Sequence, residues 1–337
     1  MGRMTSPSLP ELPPVEELLA GLRVVSIPMR VRFRGVTERE AALLRGPSGW
    51  AEFSPFVEYG PAESSRWLAA AVEAGWGRWP APRRDVVPVN ATVPAVAAAD
   101  VAGVLARFEG ATTAKVKVAE RGQGLEDDLD RVAAVRDVLG PAGRIRVDAN
   151  GGWSVREATD ALSRLAAYRL EYAEQPCAEV RELRALRLAL ARHGTDVLVA
   201  ADESIRKAED PVRVAREEAA DLVVVKVAPL GGVSRALEVV GECGLPAVVS
   251  SALDTSVGMA AGVALAAALP ELPFACGLGT VALLGGDVTD APLLPRAGVL
   301  PVGRVEADEA LLARWAAPAD RVAWWTQRVR DSWAFLA

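Results

Sequence analysis

Six ionisable side chains stand at intervals that would gather them in one place if the chain folds as repeated strand–helix units. Lys115 and Lys117 lie in AKVKV, Asp148 in RVDAN, Glu174 in YAEQP, Asp202 in ADES and Lys226 in VVVKV. From Lys117 onward the successive intervals are 31, 26, 28 and 24 residues, each about one strand–helix unit long. Every short apolar run therefore delivers one charged group at its C-terminal end. Burying so many charges is costly unless they pair or bind a metal. Three clustered carboxylates repel one another strongly in a low dielectric, and a hard divalent cation relieves that repulsion. An all-oxygen donor set without His or Cys favours Mg2+ or Mn2+ over zinc. Asp148, Glu174 and Asp202 are thus candidate metal ligands, although any one alone could cap the next helix or pair with a lysine.

The lysines have complementary positions. Strand side chains alternate, so Lys115 and Lys117 should point the same way, into the mouth of a barrel. The strand bearing Lys226 lies four strands further on, so Lys117 and Lys226 should face each other across the metal. Two ammonium groups and a divalent cation in one pocket depress lysine basicity from about 10.4. A lysine tuned in this way can serve as a neutral general base near pH 7. The plainer alternative for Lys226 is a salt bridge that holds its strand end. Together a metal and two lysines suit proton abstraction from a carbon α to a carboxylate, the metal stabilising the charge as it develops.

The elements that must position these groups divide near Pro88. Before it, β-like segments at 22–27, 30–33 and 41–45 are joined by turn signals, and a helix pattern at 62–74 is opened by Pro61. From Val89 onward β-branched runs alternate with amphipathic stretches, the pattern of βα units around a parallel sheet. Eight strand candidates occur at 87–92, 114–118, 144–150, 170–175, 197–203, 222–227, 247–251 and 274–277. Helical patterns such as 126–139, 155–167, 180–192 and 256–269 fill seven gaps. The fold class is therefore α/β: a (β/α)8-type barrel, modified as (β/α)7β, with an α+β capping domain. An open doubly wound sheet would carry a Gly-rich GxGxxG after its first strand, and none is present. The expected division is 1–88 as the N-terminal part of the cap, 89–282 as the barrel with the active site, and 283–337 as a segment returning to the cap. That last segment carries Trp315, Trp324, Trp325 and Trp333 on helical patterns at 307–316 and 320–334, which need a surface to pack against.

Composition excludes several function classes. The net charge is −6, against a phosphate-facing basic surface, so no nucleic-acid partner is expected. The longest apolar stretch, 257–269, is too short to span a bilayer and reads as a packed helix, so no membrane partner is expected. Cys177, Cys243 and Cys276 show no metal-ligand spacing and read as free thiols in a reducing compartment. The N-terminus lacks the charge and apolar pattern of a signal peptide, so a cytoplasmic location is expected. The single histidine, His193, sits at a helix end, where a cation suits the dipole.

The chain resembles the enolase superfamily, in the subgroup that carries KxK on the second strand and Lys on the sixth, and within it the o-succinylbenzoate synthases. The resemblance rests on PMRVRFRGVTEREAALLRG, WAEFSPFVEY, VPVNATV, TTAKVKV, RVDANGGW, EQP, ADES, SSALDTSVG and FACGLGT. Lysine or histidine bases working with Mg2+ are the established chemistry of that superfamily. The reaction the resemblance implies is dehydration of 2-succinyl-6-hydroxy-2,4-cyclohexadiene-1-carboxylate to o-succinylbenzoate, a step of menaquinone synthesis. It implies Lys117 as the base that then returns a proton to the departing hydroxyl, and Lys226 as the cation on the other face. Lys115 is expected to lower the basicity of Lys117 and to contact the substrate carboxylate. Arg146 and Asn150 share the strand face of Asp148 and are expected beside the substrate. Ser250, Ser251 and Gly277 are expected to hold the succinyl carboxylate through hydroxyl and backbone N–H groups. The cap loop around 32–37 is expected to close the pocket.

Two other readings remain open on these motifs. An N-acylamino acid racemase or dipeptide epimerase would use the same metal and lysines as bases on opposite faces. A non-catalytic metal-binding barrel scaffold would need neither lysine.

Overall fold

The computed structural model describes residues 11–33, 35–206 and 211–337. Three antiparallel strands form the cap sheet: β1 (Arg23–Phe33), β2 (Val36–Gly46) and β3 (Gly49–Phe53), in the order β1-β2-β3. The segments expected at 22–27 and 30–33 are one strand, with a break in pairing register between Pro28 and Phe33. The cap helix Pro61–Trp76 has proline in its first turn, where a missing N–H costs nothing.

The run expected at 87–92 divides in two. Its first part, β4 (Val86–Pro88), joins a small antiparallel pair. Its second part opens the barrel as β5 (Ala91–Val93), followed by β6 (Thr113–Lys117), β7 (Arg144–Asp148), β8 (Leu170–Glu174), β9 (Leu198–Ala201), β10 (Leu222–Val225) and β11 (Ala247–Val249). The partner of β4 is β12 (Val299–Pro301). All seven barrel strands pair in parallel with their sequence neighbours. Their runs of Val and Ala, buried on both faces, are what such a sheet requires.

The eighth strand expected at 274–277 is not a ladder. Cys276 bridges Val89 and Gly277 bridges Ser250, each in parallel, so two residues span the gap between the first and seventh strands. Cys276 N–H donates to Pro88 O (2.7 Å), and Gly277 N–H donates to Val249 O (2.8 Å). Glycine is needed here, because a Cβ at Gly277 would lie 2.6 Å from Ser250 Oγ. In the gap after β9 the described residues form short helical turns at Glu203–Arg206 and Arg213–Arg216. The helix Ser256–Ala268 is buried almost all round, as its unbroken apolar sequence implies. Among the described residues no helix is long and apolar enough to cross a membrane.

Polar joints fasten cap to barrel. Glu73, on the cap helix, accepts from the Ser234 N–H (2.9 Å) and the Val233 N–H at the start of the barrel helix Val233–Cys243, where a carboxylate suits the helix dipole. Glu52 of β3 accepts from Thr255 N (3.0 Å) and Gly258 N (3.2 Å) at the start of the Ser256–Ala268 helix. From the far end of the chain, Ala316 bridges Val25, and Trp325 packs edge-on against Phe53 at 5.8 Å. Arg321 makes a two-pronged contact with Glu40 (2.8 and 2.6 Å), to which Trp325 Nε1 also donates (2.8 Å).

Candidate active site

The parallel ladders set the chemistry in register. Lys115 stands opposite Thr92 and Arg146, Lys117 opposite Asp148, and Asp148 opposite Glu174. Alternation along β6 turns both lysines inward, as expected from KxK. Lys115, Lys117, Asp148, Glu174, Asp202 and Lys226 all line one cavity at the C-terminal ends of the strands. That is the end at which barrel active sites form.

Inside the cavity each carboxylate meets a lysine. Lys115 Nζ donates to both oxygens of Glu174 (2.8 and 3.0 Å) and lies 3.5 Å from Asp148. Lys117 Nζ donates to Asp148 Oδ2 at 3.1 Å, and Lys226 Nζ donates to Asp202 Oδ2. All six groups are less than a tenth exposed. The space left between them is about 30 Å3, enough for one water molecule.

Burial drives the electrostatics. Desolvation pushes the Glu174 carboxyl up, Lys115 offsets part of this, and Asp148 and Asp202 add repulsion, leaving Glu174 at about 7. Desolvation also opposes the charge on Asp148, but Lys117 and Lys115 overcome it and hold that carboxyl far below the usual range. Burial lowers the basicity of Lys115, yet Glu174 and Asp148 more than reverse the effect, so its ammonium is stabilised.

The donor set fits a hard divalent cation by its chemistry. It consists of buried carboxylates at the ends of three successive strands, where desolvation, with repulsion from Asp148 and Asp202 added, raises Glu174. In this conformation the carboxylates reach lysines instead, and among the described residues no three Asp, Glu, His or Cys side chains stand grouped to hold an ion. Three lysines balance three carboxylates within the cavity.

Backbone turns beyond the strands fix these side chains further. Asn150 has φ +44°, a conformation asparagine tolerates better than most residues. Its N–H donates to Asp148 Oδ1 (3.1 Å), its side chain donates to Glu203 (3.2 Å), and it lines the cavity. Gln175, fully buried with φ +39°, went unnoticed in the sequence although it sits inside EQP. Its Oε1 accepts from Asp202 N (2.9 Å) and Ser204 N (3.2 Å), and its Nε2 donates to Ser204 Oγ (2.8 Å) and Cys177 O (2.9 Å). One amide thereby ties the end of β8 to that of β9 and sets the backbone that carries Asp202.

Arg146 does not line the cavity. Sharing a strand face with Asp148 placed it at the right azimuth but two residues too deep. Its Nε meets Glu171 (2.6 Å), and its Nη1 donates to Asn90 (3.1 Å), Tyr172 (3.1 Å) and Ala275 O (2.6 Å). This is a polar plug in the barrel interior. Arg146→Met would strand those acceptors in the core, and we expect a loss of about 3–5 kcal/mol in denaturant-measured stability. The KM of the folded fraction should be unchanged, whereas a substrate contact would raise it.

Ser250, Ser251 and Gly277 do line the cavity, but their N–H groups donate to Val225 O, Gly277 O and Val249 O in closing the barrel. Only hydroxyl groups are left from the expected anion contacts. Ser251 Oγ lies 2.7 Å from Thr280 Oγ1, a lining residue inside FACGLGT that was not singled out. Thr92, Phe56, Ala252 and Leu253 also line the cavity from within the quoted motifs without having been singled out, and Phe33 lines it from the expected cap loop. Lys117 Nζ sits 5.8 Å from the Phe33 ring centroid, within cation–π range. Phe33 represents the cap loop expected at 32–37, and Arg34 of that loop lies outside the described residues. A wider cleft of about 450 Å3 behind β1, lined by Arg30 and Trp315 among others, contains no comparable acid–base set.

Comparison with known proteins agrees with this geometry. The family model described as enolase C-terminal domain-like matches residues 97–305, and that described as enolase N-terminal domain-like matches 24–75. The chain is 60% identical over 302 residues to the o-succinylbenzoate synthase of Thermobifida fusca, covering 90% of this chain and 93% of that one. It is 56% identical over 329 residues to the o-succinylbenzoate synthase of Mycobacterium tuberculosis, covering 97% and 98%. Among solved structures, muconate lactonizing enzyme from Pseudomonas fluorescens superposes with a TM-score of 0.75 at 20% identity, over 88% of this chain and 98% of that one, a likeness of fold. On a model that matches most of the chain and on relatives that align along nearly all of it, this protein belongs to the enolase superfamily, in its o-succinylbenzoate synthase family.

Proposed function

We propose that the chain is an o-succinylbenzoate synthase, dehydrating 2-succinyl-6-hydroxy-2,4-cyclohexadiene-1-carboxylate in menaquinone synthesis. The observation that carries this reading is the cavity in which Lys115, Lys117 and Lys226 meet Asp148, Glu174 and Asp202, within a chain 56–60% identical to proteins named o-succinylbenzoate synthase. Asp148, Glu174 and Asp202 would hold Mg2+ or Mn2+, whose charge, when it is bound, favours the enediolate over the carboxylate.

Lys117, as the free amine, takes the proton from the carbon α to the ring carboxylate, and the C–H electron pair moves into that carboxylate. The lysine, now ammonium, returns the proton to the ring hydroxyl on the same face. The C–O bond breaks, water leaves and the ring becomes aromatic. Lys226, on the opposite face, remains charged and balances the negative charge of the intermediate. Lys115 keeps its ammonium between Glu174 and Asp148, where its charge is available to the substrate carboxylate. Asn150 borders the substrate, and the Ser250, Ser251 and Thr280 hydroxyls receive the succinyl carboxylate. The space between these groups, about 30 Å3, is smaller than the substrate, so side chains that line it move apart when substrate binds.

The same reading takes 1–88 as the cap, 89–282 as the barrel and 283–337 as a segment completing the cap. Three free, buried cysteines support a reducing, cytoplasmic setting.

The test is an ultraviolet assay on the cyclohexadiene. Chelation should abolish turnover, and added Mg2+ or Mn2+ should restore it. No turnover with metal present would overturn the reading. So would exchange of the α proton of N-succinyl amino acids into D2O at rates far above dehydration, which is the signature of a racemase.

A further inference from the structure

We propose that Arg328, on the C-terminal helix Ala319–Trp333, is a positioning residue that holds segment 54–60 so that Phe56 closes the substrate cavity. The inference rests on the synthase reading, because that reading makes the cavity lined by Phe56 the substrate site.

Segment 54–60 (SPFVEYG) links β3 to the cap helix and has no strand partner for its carbonyl groups. A local turn meets part of the need, since Tyr59 N–H donates to Phe56 O (3.0 Å) and Ser64 Oγ donates to Tyr59 O (3.4 Å), and the buried carbonyls take further donors from outside the segment. Arg328 supplies them from more than 260 residues away. Its Nη2 donates to Phe56 O (2.7 Å), Tyr59 O (2.8 Å) and Ser64 Oγ (3.0 Å), and its Nη1 reaches Val57 O (3.4 Å). A planar guanidinium with five N–H groups can serve several carbonyls at once, which the ammonium of lysine cannot do in the same plane.

The guanidinium is itself fixed. Only 6% of Arg328 is exposed, and its Cζ lies 4.7 Å from the Trp324 ring centroid and 5.3 Å from that of Trp325. Burial lowers its basicity to about 10, so it stays charged at neutral pH.

At the other end of the segment Arg39 of β2 donates to Ser54 O and places its own guanidinium 4.8 Å from the Phe56 ring. Tyr59 and Trp67 pack edge-on against the same ring at 5.7 and 6.1 Å. The backbone of Phe56 is thus held by the C-terminal helix while the residue lines the cavity that also contains Lys115 and Lys117. A far-terminal residue sets the position of an apolar wall that a ring-bearing substrate must touch.

A double-mutant cycle on the full-length enzyme with R328M, F56A and both together tests the coupling. Each single change should raise the KM for the cyclohexadiene about tenfold with a much smaller effect on kcat. The double variant should be no worse than about tenfold, because Arg328 acts through Phe56. R328K should fall between R328M and the parent. Multiplied effects of about a hundredfold, or an unchanged KM in R328M, would overturn the inference. If R328M does not fold, R328K with F56A provides the same cycle. Hydrogen exchange gives a readout free of turnover: residues 54–60 should exchange faster in R328M, and unchanged exchange there would also overturn it. A failure of the synthase reading is distinguishable, since the parent enzyme would then show no dehydration.

Discussion

Lys117→Ala is expected to lower kcat for dehydration by about 10³–10⁴-fold, because one side chain serves first as base and then as acid. The loss should fall on kcat with little change in Mg2+ affinity measured calorimetrically, since Asp148 keeps Lys115 at 3.5 Å and the Asn150 N–H at 3.1 Å. Those remaining partners also make survival of the fold the expected outcome. A variant that retains parental turnover would remove Lys117 from the role assigned to it. A non-catalytic scaffold predicts no turnover in either protein, so the parent enzyme is the control for that reading.

Lys226→Ala has a different expected signature. Its ammonium takes no proton in the proposed reaction, so what is lost is stabilisation of charge on the intermediate, and kcat should fall by about 10²–10³-fold. Asp202 loses its lysine partner in a site that is almost wholly buried. A stability loss should therefore accompany the kinetic one, since removing one member of a buried ion pair is costly. Thermal melts with and without Mg2+ separate the two effects, because ion binding to Asp202 should restore stability without restoring turnover. A Lys226→Ala variant with parental kcat would make this lysine a strand-end salt bridge and nothing more.

The two predictions differ because the lysines reach the cavity by different routes. Lys117 ends a strand ladder whose register with Asp148 follows from parallel pairing. Lys226 lies just beyond β10 and begins the short helix Val227–Leu230, so its placement depends on a turn as well as on the sheet. Both positions were legible in the sequence, because a charged residue at the end of a run such as VVVKV is conspicuous and recurs at nearly constant intervals.

Depth and backbone direction were much less legible. Period-two alternation gave Arg146 the correct face, yet nothing in the sequence distinguishes the layer of Asp148 from the one beneath it, where Glu171, Asn90 and Tyr172 surround the guanidinium. The Gly277 segment looked like a strand able to offer N–H groups, whereas closing the barrel through two bridges uses them. Phe33 reaches the cavity from the last residue of β1, and Phe56 and Thr280 reach it from a loop and a short turn whose paths no periodicity sets. Gln175 was within view beside Glu174, but its importance lies in a left-handed turn that only the folded backbone reveals. The ion pairs of Lys115 with Glu174 and Asp148 were not foreseen, because those carboxylates were read only as metal ligands.

The most direct examination of the account is a crystal structure of the enzyme with Mg2+ and o-succinylbenzoate bound. Asp148, Glu174 and Asp202 should each leave the lysine they now face and place an oxygen about 2.0–2.1 Å from the ion. The Nζ atoms of Lys117 and Lys226 should approach opposite faces of the product ring to within about 3–3.5 Å. An ion held elsewhere, the three acids still closed on their lysines, or either amine directed away from the ring would contradict it.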